Sequence, residues 1–365
     1  RGPLPWLRPS RLADPMAAGN ARPAATAFQL AAPSPAATAV GAVLAVAGAL
    51  WRPRVVRDVE AQAFLDHFPC LRHHTARWSV ERFGPGSDEV PALLRAFDWY
   101  YYGEPHDSLH DHHGPSWFRH EEPQSVVAAP SRWDAALAAA HRLPGGGRAI
   151  AFAGMPERPL SEDLSEDPAL REEQVGALQR AFGRVWHEYK DVDVDGIMTL
   201  PSGLNEMYLR PGVLRLAWAA IASARLDAKP RAVLAAYTIY WISTAANLSS
   251  RVEAREWAAS AAGQEAGAEL RFIYPREWYA ELSTYRFLLS PTGSGIQSAK
   301  TIEALLVLTV PIVQRCVAHD DLVALGFPLV VVDRFEEVGA GELRAWWRSL
   351  APRLASFRRN CLTTE

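Results

Sequence analysis

The sequence predicts an α/β protein of two lobes, each a parallel sheet covered by helices. Three observations carry that expectation. Between residues 231 and 357 short apolar runs alternate with longer amphipathic ones, giving five strands in regular succession with helices. The strands are mostly apolar, wholly so in LVVV at 329–332, so both faces of that sheet are expected to be buried and its strands parallel. The chain of 365 residues is long enough for two domains of ordinary size.

Bulk composition narrows the function classes. With 49% hydrophobic and 22% charged residues the chain has a globular core. A net charge of −3 gives no electrostatic case for nucleic acid as a partner. Thirteen tryptophans are many; they serve cores, lobe contacts, or stacking on sugar rings. Cys70, Cys316 and Cys361 form no CxxC pair, so there is no zinc framework.

Residues 1–57 carry seven arginines, one acid (Asp14) and much alanine and proline, and are set apart from the fold. The uncharged run 36–51 would span roughly 24 Å as a helix, against ~30 Å for a bilayer core. A signal peptide or single N-terminal membrane anchor, a transit peptide, and a disordered extension are the competing readings.

Residues 58–228 are expected to form the first lobe. Its opening part reads as a short helix at 59–68, a turn at 84–88, and a segment 90–102 that starts helical and ends aromatic. Residues 104–122 hold His106, His110, His112, His113 and His120 beside Asp107 and Asp111. Three readings stand for them: a metal site, a polar loop, or an acceptor-facing loop in which Glu104, His106 or Asp107 acts as general base. Strands are expected at 126–129, 149–153 and 196–200, with a helix at 133–142 stopped by the glycines at 145–147. Asp167-Pro168 opens a helix expected to run to about 190 on a stripe of Leu170, Val175, Leu178, Phe182, Val185, Trp186 and Tyr189. The acidic run 191–195 lacks the glycine and distal glutamate of a calcium loop and reads as surface. Residues 201–210 follow the 196–200 strand at its carboxyl end, where α/β proteins bind ligands. Asn205, Glu206 and Arg210 are therefore site candidates, although Asn205 or Ser202 can simply cap the helix expected at 214–226. A linker at 227–230 leads to the second lobe, 229–365.

In the second lobe, strands are expected at 231–237, 269–273, 286–290, 311–314 and 329–332, and helices at 249–262, 276–283, 296–308, 320–325 and 340–357. The glycine turn at 292–295 sits at the carboxyl end of the third strand and feeds a helix, a geometry that suits a phosphate. It is not a Walker A loop, because Ala299 and Ser294 stand where glycines are required before Lys300-Thr301. It is not a dinucleotide fingerprint either, since the glycines follow the third strand and not the first. Gly293, Ser294 and Gly295 can offer unobstructed amides, Lys300 a counter-charge, and Glu303, a turn further on, a carboxylate for two hydroxyls. The bland counterparts are a turn, a solvated lysine, and a Glu303 that pairs with Lys300 or a neighbour.

The pattern FLLSPxGxGxxSxKxxEAL, carried by residues 287–305 and followed by Pro311-Ile312-Val313, resembles the carboxyl-terminal lobe of exostosin-like inverting glycosyltransferases of the GT-B class. The likeness extends to the acidic short helix at 320–322 and the strand ending in Asp333. It implies a GT-B-like fold of two Rossmann-like lobes with a nucleotide-sugar cleft between them. It further implies metal-independent transfer, with inversion, from a nucleotide sugar (UDP-linked, and a substrate, with no cofactor) to a hydroxyl of a glycan or glycoprotein. The donor side would be Ser290, Gly293, Ser294, Gly295, Ser298, Lys300 and Glu303, with Glu303 on the ribose; the catalytic base would come from the first lobe, with Glu104, Asp107 and Glu206 as candidates. Thr292 stands where many members have a basic residue, and Lys300 where many have arginine. A non-catalytic glycan- or partner-binding protein of the same fold, or a metal-dependent hydrolase using the histidines of 104–122, are the rival readings. The sequon at Asn247 fits a lumenal lobe and a Golgi or other secretory-pathway location.

Overall fold

A computed structural model describes residues 99–101, 117–118, 123–153, 158–203, 213–237, 245–293 and 295–362. Two parallel sheets organise them, as the sequence predicts. The first has six strands in the order β2-β1-β3-β4-β5-β6: β1 Trp99–Tyr101, β2 Trp117–Phe118, β3 Ser125–Ala128, β4 Ala149–Phe152, β5 Arg184–His187 and β6 Ile197–Thr199. Its one antiparallel pairing is β1 with β2. The second sheet has five strands in the order β11-β10-β9-β7-β8: β7 Arg231–Ala235, β8 Ala268–Leu270, β9 Tyr285–Leu289, β10 Val310–Gln314 and β11 Val330–Val332, with every pairing parallel. Both belong to one compact body, Arg54–Glu365. The two lobes and their covering helices give the GT-B-like, doubly wound architecture expected.

In the first lobe α1 (Trp133–Ala140), α2 (Leu160–Asp163) and α3 (Pro168–Phe182) surround a core that includes Val126, Trp133, Ile150, Phe152, Leu178 and Phe182. The Asp167 carboxylate caps α3 by accepting from Ala169 N at 2.9 Å. The helix does not run on to residue 190. It stops at Gly183, whose φ of 62° is one that an L side chain adopts only with strain, and the chain turns into β5. Val185 and His187 are buried on alternate positions of that strand. The spacing of Val185, Trp186 and Tyr189 from Phe182 continues a helical stripe by coincidence, and the glycine's left-handed backbone decides the matter.

The second lobe is built on α4 (Leu214–Ser223), α5 (Ala245–Ala259), α6 (Ala261–Glu265), α7 (Trp278–Leu282), α8 (Ala299–Leu306), α9 (Val317–Ala324) and α10 (Ala340–Phe357). Leu214, Ala217, Ala220 and Ile221 of α4 join this lobe's core, and Arg358 donates to Ile221 O and Leu306 O at 2.9 and 3.1 Å. The core thus begins ahead of the expected boundary at residue 229. The helix expected over 249–262 breaks at Ser260, which caps α6 by accepting from Gly263 N. The short helix expected to start at Asp320 starts at Val317.

Lys229, 3% exposed, links three elements: its Nζ donates to Ser283 O (2.8 Å), Val307 O (2.9 Å) and Thr309 Oγ1 (2.9 Å). Burial, reinforced by the Arg358 guanidinium, pulls its ammonium down to about 7. The unfolded chain keeps that proton up to the ordinary value of 10.5. Between those limits the unfolded state holds the extra proton, so stability rises with pH, by up to about 1.4 kcal/mol per unit. Urea unfolding at pH 7.5 and 9.5 is expected to show this gain in the wild type and to lack it in Lys229→Met. Equal gains in both proteins would contradict it.

Candidate functional site

The order of the second sheet fixes where a ligand can sit. From β7 the chain goes outward to β8, then returns past β7 to β9 and continues to β10 and β11 on the other side. Such a reversal is the topological switch point of an α/β sheet, where ligands bind in the crevice outside the strands' carboxyl ends. The glycine loop leaves β9 at this point, and Tyr237 follows β7 there.

The loop does not pass straight into a helix at residue 296, as the sequence suggests. Helix α8 begins at Ala299, and Ser298 is its cap, accepting from Lys300 N at 3.4 Å. Gly293 packs closely: a Cβ there would lie 3.2 Å from Gln297 O, a contact to which the loop would have to yield by a few tenths of an ångström. Ser290 is buried, its hydroxyl 3.0 Å from that of Thr301. Ser294 lies outside the described residues, and Gly295 is buried.

Lys300 and Glu303 meet on one side chain, Trp278 of α7. The Lys300 ammonium stands 3.9 Å from the indole ring centroid, a cation–π contact. Glu303, 0% exposed, accepts from the indole Nε1 at 2.8 Å. Burial lowers the Lys300 pKa; the Glu303 carboxylate opposes that fall, and Arg251 adds to it. The Glu303 carboxylate is therefore engaged within the protein and is part of its packing.

Arg251, on α5, is a residue that sequence reasoning passed over. Its Nε donates to Thr292 O at 3.0 Å, and a Cβ on Gly293 would lie 3.8 Å from its NH2. The Ser250 hydroxyl accepts from Thr292 N at 3.2 Å, so the start of α5 holds the loop's first turn. A positive charge thus reaches the first motif glycine from a neighbouring helix, although Thr292 itself is neutral. The available signal was Arg251 and Arg255, four apart on one helix and mutually repulsive unless an anion stands near. Two hydroxyls at the same crevice, Tyr237 OH and Thr292 Oγ1, are shielded from solvent and have no hydrogen-bond partner among the described residues. Burial raises the Tyr237 pKa, with Arg255 and Arg251 opposing.

Across the crevice stand the carboxyl ends of β5 and β6. The first-lobe candidates Glu104, His106, Asp107, Asn205, Glu206 and Arg210 lie outside the described residues, as does most of the histidine-rich stretch 104–122. Among the described residues no group of three or more His, Cys, Asp or Glu is arranged to hold a metal ion. A buried pair, Asp163 and His187, invites comparison with a base and its orienting acid. The ring, however, has no nitrogen to offer a substrate. Nδ1 accepts from Tyr189 N at 3.1 Å, Nε2 faces Asp163 Oδ2 at 3.6 Å, and the ring stacks on Phe152 at 0% exposure. It belongs to the core.

No family model and no curated protein matches this sequence. Among solved structures it is similar to the crystal structure of the glycotransferase of kitacinnamycin, at 16% identity and a TM-score of 0.31, over 66% of this chain and 72% of that one. A likeness of that size leaves the functional reading to the geometry of the crevice.

Proposed function

We propose that the protein is an exostosin-like GT-B glycosyltransferase, acting with inversion and without a metal on a UDP-linked sugar, with a glycan or glycoprotein hydroxyl as acceptor. The observation that carries this reading is Arg251 donating to Thr292 O of the glycine loop at the sheet's switch point, with the Lys300 ammonium near enough to feel its charge, beside the hydroxyls of Tyr237 and Thr292, which have no hydrogen-bond partner among the described residues. Buried hydroxyls and a desolvated lysine call for an anion with several acceptor oxygens, and a diphosphate has them. In the reaction the acceptor oxygen attacks the anomeric carbon from the face opposite the diphosphate. The bond from that carbon to the diphosphate oxygen breaks, and the acceptor proton passes to a first-lobe carboxylate, for which Glu104, Asp107 and Glu206 remain the candidates. The charge gathering on the diphosphate is stabilised by Arg251, Lys300 and the loop amides, which take the part a divalent metal plays elsewhere. Glu303, buried against Trp278 beneath the loop, would serve the ribose side of the site. The uncharged run 36–51, taken as an anchor, and the sequon at Asn247 support a lumenal site in the Golgi or another secretory membrane.

The test is a panel of nucleotide sugars incubated with the protein in EDTA, with nucleoside diphosphate release as the readout. Release from one donor, enhanced by a hydroxyl acceptor, is the expected result. Donor binding with no release under any acceptor would favour the non-catalytic reading, and neither binding nor release would remove the proposal.

A further inference from the structure

Gln297 belongs to the glycine loop, two residues after Gly295, yet its side-chain hydrogen bonds among the described residues all go to the other lobe. Its Nε2 donates to Glu188 O at 2.5 Å and to Leu200 O at 2.9 Å, and its Oε1 accepts from Ser202 N at 3.2 Å. Both amide hydrogens and the carbonyl are thus used on three backbone groups just beyond the carboxyl ends of β5 and β6. The Ser202 hydroxyl donates to Glu188 Oε1 at 2.8 Å, which ties those two first-lobe segments to each other. Gln297 is only 6% exposed, so water cannot easily replace the bonds it makes.

A second contact between the lobes lies nearby and has a different character. Asp321 Oδ2, on α9, accepts from Lys190 Nζ at 2.9 Å and from Thr199 Oγ1 at 2.6 Å. It joins the lobes without being part of the glycine loop. Gln297 does both. The peptide oxygen of Gln297 is also the atom that packs against Gly293, so the residue's place is felt at the first motif glycine.

We propose that Gln297 is a positioning residue: anchored in the first lobe, it sets the conformation of the glycine loop, so that the anion site of the second lobe is complete only while the lobes are docked. The loop conformation that Gln297 fixes is a matter of structure alone; its consequence for a nucleoside diphosphate rests on the function proposed above. By linkage, an anion that favours the docked form of the loop also tightens the seam between the lobes.

Two variants of the full chain separate positioning from simple adhesion. Gln297→Met keeps side-chain volume and removes all three bonds; Asp321→Ala removes the second of these contacts between the lobes and leaves the loop's own residues intact. Amide hydrogen exchange over the peptide 290–298 and calorimetric titration with UDP are measured on both. Gln297→Met is expected to speed exchange in that peptide at least tenfold and to weaken UDP binding at least tenfold, roughly the effect of one net hydrogen bond or more. Asp321→Ala is expected to leave both within about twofold of wild type on the same scale. Unchanged exchange in Gln297→Met, or equal acceleration in Asp321→Ala, would overturn the proposal. Should Gln297→Met fail to fold, Gln297→Glu, which keeps the Ser202 contact and sets a carboxylate against two carbonyls, is read by the same criteria. A wild type that binds no UDP would sink the donor reading, while the exchange result would still decide the role of Gln297.

Discussion

Alanine at position 303 is expected to destabilise the protein markedly, whereas glutamine there keeps the fold and weakens nucleotide binding. Glu303 is wholly buried, and its Oε2 accepts the Trp278 indole proton at 2.8 Å. Alanine leaves that donor without its partner and strips Lys300 of the carboxylate that opposes its desolvation. Losses of this kind cost about 2–4 kcal/mol, which for a lobe of ordinary size lowers the melting temperature by roughly 5–15 °C. Glutamine fills the same volume, and its Oε1 can accept the indole proton. It removes the charge, so it shares the loss at Lys300 but not the loss at Trp278 and destabilises less than alanine; under the proposed function it also weakens nucleotide affinity about tenfold. Thermal unfolding and calorimetry of both variants check this. An alanine variant that melts with the wild type would mean that the carboxylate contributes nothing to the packing. A glutamine variant of undiminished affinity would take Glu303 out of the site.

Removing the two cations is the other large effect. Arg251→Ala and Lys300→Met should each weaken a nucleoside diphosphate by about 10–100-fold, the value of one or two charge-assisted hydrogen bonds. The double variant should fall short of the product of the two, because both charges act on one ligand and repel each other in its absence. That mutual repulsion has a second consequence: Arg251→Ala should raise the Lys300 pKa. Arg251→Ala also frees the Thr292 carbonyl, so part of its loss reflects a looser loop. Arg251→Lys distinguishes the contributions, since lysine restores charge without the fixed planar fork. Affinity that falls with ionic strength in the wild type and less steeply in the variants would accompany the effect.

How much of this was legible in the sequence follows from the kind of interaction concerned. The strands of the second lobe were readable because most are short, largely apolar runs bounded by turn residues, whereas the edge strand β8 carries Glu269 and is only partly buried. The end of α3 was not, because Val185 and Trp186 continue its apolar spacing while the stop signal is a single glycine whose positive φ only the folded chain reveals. The placing of α4 was lost for a related reason: an amphipathic helix shows that it has a buried face, not which sheet receives it. At the site, the glycine loop, Lys300 and Glu303 were contiguous and so visible. Arg251 and Tyr237 come from other elements, 42 residues (293 − 251) and 56 residues (293 − 237) before Gly293. Only the strand order, with β9 beside β7, brings them to the loop. Nor could the sequence show that Gln297 turns away from its own lobe.

The central claim is that the glycine loop at the switch point holds a diphosphate without a metal. Calorimetric titration of the intact protein with UDP in EDTA tests it most directly. One site per chain, with a dissociation constant in the micromolar range typical of enzyme substrates, lost in Lys300→Met, is the predicted result. Binding that requires a divalent cation, or that survives unchanged when Arg251 and Lys300 are both replaced, would contradict it.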